Sequence, residues 1–372
     1  MRVVAIIPGD QFSGPAGQVA STGEALARVG VELRLLLLCR PGTATGQLPA
    51  FLEKRRIPFD VVPDYGPFDV SLPLRVHKVL GTWRPAIVET HGYKASAVAL
   101  SLRPFRRWRW IGYVHGFTTE SRRARFYYWL DQHVLAVADA AVLVSEQHRR
   151  MTARRLPHAR VVPNAVTELD HSTDDILPWL GDIAGLGRPR IAVVGRLSPE
   201  KGVDVFLEGV ALLVERGVAC TAVIVGDGPE RGVLEQLAKH RGLADRVRFL
   251  GYLTQIRPLY DHVDLIVIPS RSEGLPSVLL EALAADAGVV ATRVGSIPDV
   301  LGPGEAGILV NPGSPRDLAD GIQVGLARLH DPATRLARAA AVARFSQDAR
   351  AQALVSLYRE VLGLSPKEPH AS

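Results

Sequence analysis

The stretch Ile191-Ala192-Val193-Val194-Gly195-Arg196-Leu197-Ser198-Pro199-Glu200-Lys201-Gly202 decides how this chain is read. Four apolar residues end at a glycine, and a helical pattern follows over 203–216. A short buried strand leading through a tight turn into a helix is the repeating piece of a parallel sheet covered on both faces. Pro199 suits the first position of that helix and Ser198 its cap. Arg196 and Lys201 then flank a helix N-terminus, where free backbone N–H groups and two fixed cations suit a diphosphate. Taken alone, an Arg-x4-Lys spacing is better explained by a solvated turn.

The alternation continues in both directions. On the C-terminal side strands are expected at 221–225, 247–250, 265–268 and 289–292, with helices at 230–241, 256–261 and 276–285. On the N-terminal side strands are expected at 3–7, 33–39, 86–89, 110–114, 140–144 and 160–162. After the first of these, Gly14-Pro15-Ala16-Gly17 reads as a glycine-rich loop, followed by a helix that Gly30 ends. The apolar pattern fades over 165–188, where glycines and prolines mark a linker at 171–188. This gives two successive α/β units of Rossmann type, 1–170 and 189–345, with a last helix in 346–372. In such sheets ligands bind outside the C-terminal ends of the strands.

Composition narrows the possibilities. The 372 residues suit two domains, and 47% hydrophobic against 22% charged residues exclude a disordered, collagen-like or coiled-coil chain. Cys39 and Cys220 are far apart and stand in no Cys/His cluster, which argues against a disulfide framework or a cysteine zinc site. No apolar run is long enough to span a membrane, and the N-terminal run is too short for a signal peptide. A cytoplasmic location is expected. The net charge of +6 is uneven: residues 1–180 carry 23 Lys and Arg against 16 Asp and Glu, and 181–372 carry 21 against 22. Much of the excess lies in 101–125, where Arg103, Arg106, Arg107 and Arg109 interleave with Phe105, Trp108 and Trp110, and Arg122, Arg123 and Arg125 precede Phe126, Tyr127, Tyr128 and Trp129. Cations beside interfacial aromatics suit an anionic membrane surface, so a peripheral position on the cytoplasmic face is expected through Arg103 to Arg125. No nucleic-acid module accompanies the charge, so nucleic acid is not expected as a partner.

A second motif is Ser272-Glu273-Gly274-Leu275-Pro276-Ser277-Val278-Leu279-Leu280-Glu281. It begins in the loop after the 265–268 strand and runs into a helix that Pro276 opens. The first-turn amides suit an anion, and the two carboxylates suit hydroxyls. Glu281 lies in an otherwise apolar stretch and must find a partner there.

These two motifs, with Val225-Gly226-Asp227-Gly228-Pro229, Phe249-Leu250-Gly251-Tyr252 and Gly295-Ser296-Ile297-Pro298-Asp299, resemble the retaining GT-B glycosyltransferases of family 4. The order and spacing agree across about 190–345; the N-terminal half agrees more loosely, through His91-Gly92-Tyr93-Lys94, Val114-His115-Gly116, Val144-Ser145-Glu146 and Pro163-Asn164-Ala165. The resemblance implies two Rossmann-like domains with parallel sheets facing a central cleft, acceptor on the first and nucleotide sugar on the second. It implies that the last helix crosses back to the N-terminal domain. It assigns Arg196 and Lys201 to the donor diphosphate, Glu281 to the ribose and Glu273 to the donor sugar. Gly274, Leu275, Pro276 and Ser277 would hold sugar hydroxyls and phosphate, Leu250 and Gly251 would flank the base, and Gly17 would approach the phosphates. His115 would face the reaction centre as a catalytic residue with Glu273, and His91, Tyr93 and Lys94 would line the acceptor side.

The implied reaction moves a sugar, with retention, from a nucleotide diphosphate (a UDP-sugar) to a saccharide or lipid-linked saccharide. No Asp-x-Asp occurs in the sequence, so neither a metal nor any other cofactor is expected. Three places depart from the family pattern: Ala285-Asp286-Ala287-Gly288 replaces a Cys-Gly-x-Pro-like stretch, Ser296 stands for a glycine, and the first loop lacks a Gly-Gly pair. A nucleotide-sugar epimerase of the same fold and a silent nucleotide-sugar-binding partner remain as alternatives.

Overall fold

The computed structural model describes residues 1–9, 14–42, 47–67, 69–114, 122–152, 155–156, 158–166, 178–253 and 256–364. The chain divides into two compact units, Met1–Ala165 with Ser346–Ser372, and Val166–Phe345.

In the first unit, elements follow in the order β1 (Arg2–Pro8), α1 (Gly14–Arg28), β2 (Glu32–Cys39), α2 (Gln47–Lys54), β3 (Phe59–Pro63), α3 (Leu72–Trp83), β4 (Ile87–His91), α4 (Tyr93–Ser101), β5 (Arg109–Val114), α5 (Arg122–Leu135), β6 (Ala140–Leu143), α6 (Glu146–Thr152) and β7 (Ala159–Val161). The strands form one parallel sheet in the order β3-β2-β1-β4-β5-β6-β7. Its central strands are apolar on both faces because helices cover both. Val3, Ala5 and Ile7 of β1 pack towards α1 and α2, whereas Val4 and Ile6 pack towards α3 and α4.

The second unit runs α7 (Pro178–Ala184), β8 (Arg190–Val194), α8 (Val203–Glu215), β9 (Thr221–Val225), α9 (Arg231–His240), β10 (Val247–Gly251), α10 (Arg257–His262), β11 (Leu265–Ile268), α11 (Ser277–Ala284), β12 (Gly288–Thr292), α12 (Ile297–Leu301), β13 (Ile308–Val310), α13 (Pro315–Ala327) and α14 (Pro332–Arg344). Its parallel sheet has the order β10-β9-β8-β11-β12-β13. The strand order reverses between β8 and β11, the place where open α/β sheets take ligands. Within the stretch read as a linker, 178–184 is α7, and its Trp179 and Ile183 belong to the core of this unit. Residues 171–177 lie outside the described residues.

The last helix, α15 (Gln347–Val361), belongs to the first unit. Its Ala351, Leu354, Leu357 and Tyr358 join the same cluster as Val3, Ala5 and Ile7. Polar anchors reinforce the apolar ones. Glu89, at the centre of β4, accepts hydrogen bonds from the hydroxyls of Tyr113 and Tyr358, both at 2.6 Å. Arg350 donates to the Thr22 hydroxyl at 3.1 Å and to the carbonyls of Val162 and Pro163. All five side chains are buried, so a carboxylate and a guanidinium are desolvated with their hydrogen bonds supplied.

Among the described residues no helix is long and apolar enough to cross a membrane. In the basic stretch Trp108 and Trp110 are core residues, and Arg106 and Arg109 pair with Asp139. Arg103, Phe105 and Arg107 remain exposed. Residues 115–121 and the side chains of 122–128 lie outside the described part of the chain.

Candidate functional site

In the second unit, the loops leaving β8, β9 and β10 are stitched together by backbone hydrogen bonds. The Gly195 amide donates to Val225 O at 2.9 Å, Leu197 to Asp227 O at 2.9 Å, and Gly226 to Gly251 O at 2.8 Å. The stitching requires glycine at 226: its φ is +130°, and a Cβ there would fall 1.9 Å from the Gly195 carbonyl oxygen.

The turn after β8 departs from the sequence reading. Residues Pro199–Lys201 form a separate 3-10 turn, and Ser198 caps nothing; its hydroxyl donates to the Glu200 carboxylate. Gly202 ends that turn in the left-handed conformation, at φ +65°, and α8 starts only at Val203. A Cβ on Gly202 would meet Pro269 O at 2.3 Å, so this turn lies directly against the end of β11. The close approach brings Lys201 across to the second motif, where its Nζ donates to Glu273 Oε1 at 2.6 Å. Arg271 fastens the same two loops, bonding Pro199 O and pairing with Asp204.

Glu273 Oε1 also accepts from the Ser270 hydroxyl at 2.8 Å, and the Ser270 carbonyl in turn accepts from the Thr292 hydroxyl at 2.6 Å. The backbone behind Glu273 is braced by the turn after β12. The Ser296 amide donates to Gly274 O at 2.8 Å, and Gly295, at φ +59°, packs against the carbonyls of Glu273 and Gly274. Glu281, in the middle of α11, finds its partner in Tyr260 of α10, whose hydroxyl donates at 2.7 Å. Burial raises the Glu281 carboxyl above the ordinary carboxylate range, and the Tyr260 hydrogen bond offsets part of that. No side chain caps the start of α11; the Leu279 amide bonds Pro276 O at 3.1 Å, and the Ser277 and Val278 amides head the helix after Gly274.

The structure therefore brings Lys201 and Glu273 into contact, and places Gly274, Leu275, Pro276, Ser277 and Glu281 on the same loop and helix. Arg196 is exposed in the turn after β8, and Leu250 and Gly251 are half-buried at the end of β10. Ser270, Thr292 and Tyr260 belong to the same constellation and carry no local motif in the sequence. A cation beside a helix N-terminus suits an anion, and the carboxylates suit hydroxyl groups.

In the first unit, Gly17 is buried inside the opening turns of α1, so 14–17 is helix where a glycine-rich loop was expected. His91 is buried, stacked on the Tyr113 ring with centroids 4.3 Å apart and with Nε2 3.8 Å from Glu89. Burial holds its pKa below the ordinary histidine value, although Glu89 acts in the opposite direction. Tyr93 is exposed at the start of α4, and Lys94 pairs with Asp64. His115 lies outside the described residues.

Comparison with known proteins agrees with this geometry. Residues 188–327 match the family model described as Glycosyl transferases group 1, and 12–168 match Glycosyltransferase Family 4. The chain is 34% identical over 247 residues to an alpha-D-kanosaminyltransferase of Streptomyces kanamyceticus, a match that takes in 63% of either chain. It is 27% identical over 315 residues to a D-inositol 3-phosphate glycosyltransferase of Corynebacterium urealyticum, covering 76% of this chain and 73% of the relative. The structure of Anabaena HepE in complex with UDP-glucose matches with a TM-score of 0.80 at 20% identity, over 97% of this chain and 100% of that one. With a matched region in each half and two parallel sheets behind them, the chain belongs to the GT-B glycosyltransferases of family 4.

Proposed function

We propose that this protein is a retaining glycosyltransferase that moves a sugar from a UDP-sugar to a saccharide or lipid-linked saccharide without a metal ion. The observation that carries the reading is the Lys201–Glu273–Ser270 cluster at the end of β11, beside the uncapped start of α11. Kanosaminyl- and glycosyltransferases among the relatives, and a UDP-glucose complex among the structural neighbours, support the donor class.

Lys201, Arg196 and the α11 N-terminus stabilise the negative charge that develops on the departing diphosphate. Lys201 is held in advance by Glu273, so its ammonium is oriented before the donor arrives. Glu281 takes the ribose hydroxyls, its second oxygen fixed by Tyr260. Glu273 faces the donor sugar hydroxyls. The acceptor hydroxyl attacks from the face the diphosphate leaves. Its proton passes to a departing phosphate oxygen as the old C–O bond breaks and the new one forms. We assign His115 a catalytic role with Glu273, and Tyr93 a role in holding the acceptor. Contact with an anionic membrane face through the exposed Arg103, Phe105 and Arg107 would serve a lipid-linked acceptor.

The test is calorimetric titration of UDP and GDP, with and without Mg²⁺, into the wild type and an Arg196→Ala/Lys201→Ala variant. The expected result is metal-independent binding of UDP that the double variant abolishes. Absence of binding by either nucleotide would overturn the donor assignment.

A further inference from the structure

The first unit carries a built surface that joins Tyr93 and Lys94, expected on the acceptor side, to residues after β3 that no motif singled out. β3 ends at Pro63, and residues 64–67 and 69–71 lie between it and α3. Two carboxylates hold this turn. Asp69 accepts from the Tyr65 amide at 2.9 Å and from the Ser71 hydroxyl at 2.8 Å, and it pairs with Arg75. Asp64 accepts from the Gly66 amide at 2.9 Å and pairs with Lys94, whose Nζ also donates to Gly66 O at 2.7 Å. Arg75 is fully engaged, bonding Pro63 O and the Ser71 hydroxyl as well as Asp69. Burial would raise the Asp69 carboxyl, but the Tyr65 amide, Ser71 and Arg75 outweigh it and hold it at about 2.

Tyr65 stands on this frame. It is 68% exposed, and its ring lies 5.0 Å from the Arg75 guanidinium. One ring face thus rests on a cation that is itself locked, and the other is presented to solvent. Tyr93 is 52% exposed at the start of α4, and its neighbour Lys94 is the residue fastened to Asp64 and Gly66. Two exposed tyrosines therefore stand on the turn after β3 and the start of α4, which the Asp64–Lys94 pair and the Lys94–Gly66 O bond join. In the order β3-β2-β1-β4 the reversal of strand order lies between β1 and β4, so the start of α4 stands beside the place where α/β sheets take ligands, and the Asp64–Lys94 pair ties the turn after the edge strand β3 to it. The charges beneath them balance, Asp64 and Asp69 against Lys94 and Arg75, so the surface suits a neutral ligand rather than a phosphate. Aromatic faces, with a few fixed polar groups at their rim, match the apolar C–H face and peripheral hydroxyls of a pyranose.

We propose that Tyr65 and Tyr93 form a stacking platform for a neutral sugar ring of the acceptor, with the Asp64–Lys94 pair meeting its hydroxyls. The acceptor role rests on the transferase reading above; the sugar-binding surface itself does not. The experiment is saturation-transfer NMR on the full chain, with and without saturating UDP. The probes are methyl α-D-glucopyranoside, methyl α-D-mannopyranoside, N-acetylglucosamine and maltose. Transfer to the ring C–H protons of at least one of them is expected. Tyr65→Ala should weaken that binding about tenfold, the size of one lost aromatic contact, and Tyr65→Phe should retain it. Tyr65 is exposed, so the variants keep the fold, which unchanged thermal melting and UDP affinity verify. No transfer to any of the four sugars overturns the platform, as does a Tyr65→Ala variant that binds like the wild type. Failure of UDP and GDP to bind the wild type removes the donor reading instead, and the titrations without nucleotide still decide the platform.

Discussion

Replacing Gly295 by alanine adds one carbon where none fits. Gly295 has φ +59°, and its Cβ would stand 2.4 Å from both Glu273 O and Gly274 O. Gly30 provides the matched control, with φ +79° and no heavy atom within 4 Å of its Cβ. Both substitutions place an L side chain in the left-handed region, at a cost of about 1–2 kcal/mol. At Gly30 the cost ends there. At Gly295 the two carbonyls must also retreat by about 1 Å to reach ordinary van der Waals distance. They belong to the loop whose Glu273 side chain holds Lys201, so the displacement passes straight into the Lys201–Glu273 contact proposed to meet the donor. A misplacement of about 1 Å at a reacting centre costs roughly a hundredfold in rate. Gly30→Ala is therefore expected to lower the melting temperature and leave nucleotide affinity and turnover unchanged. Gly295→Ala is expected to melt lower still and to lose about two orders of magnitude in turnover. Turnover is read as nucleoside diphosphate released from the donor that calorimetry identifies. If the two variants behave alike in both assays, the turn after β12 does not brace the donor loop.

Three further outcomes follow from particular contacts. Tyr260→Phe removes a hydrogen bond to the ionised Glu281, so the carboxyl pKa rises further and the loss of nucleotide affinity on acidification begins at a higher pH, as titrations across a pH series would record. Asp69 contributes stability that is complete above its ordinary value of 3.8 and is lost as the pH falls through about 2; Asp69→Asn should lower the melting point at neutral pH and flatten the profile across that window. Glu89→Ala leaves two buried tyrosine hydroxyls without their acceptor and should destabilise the first unit by about 2–5 kcal/mol, with faster amide exchange in α15.

The repeating strand–helix pattern was legible because parallel strands buried on both faces read as uninterrupted apolar runs; β11 begins and ends at the residues the pattern predicts. β3 and β13 were missed for physical reasons. The first presents a mixed burial pattern and ends in proline, and the second is three residues long. The helix over 203–216 was read in its place, but Ser198 and Pro199 were assigned to its cap and first position because they have the local chemistry of a helix start. The real start follows Gly202, left-handed at φ +65° and so close to Pro269 O that no side chain fits there, a contact that no local rule contains. The motif residues Arg196, Lys201, Glu273 and Glu281 stood out by their spacing. Their partners did not: Lys201 meets Glu273 72 positions away, and Tyr260 meets Glu281 21 positions away. His91 is legible as a strand-end residue, but its burial against Tyr113 and Glu89 depends on how neighbouring strands register.

The membership of α15 in the first unit fixes an order of events during synthesis. Val166–Phe345 is continuous and can complete its core while still emerging from the ribosome. The first unit cannot: its sheet is translated first, but the face lined by Val3, Ala5 and Ile7, covered in part by α1 and α2, is not closed until Leu354, Leu357 and Tyr358 arrive some 180 residues later. Until then Glu89 has no Tyr358 hydroxyl to accept from, and Thr22 has no Arg350. The half made first is thus finished last. A nascent chain stalled before α15 would display a folded second unit beside a first unit whose core lacks the apolar side of one helix, the form in which a chaperone would meet it.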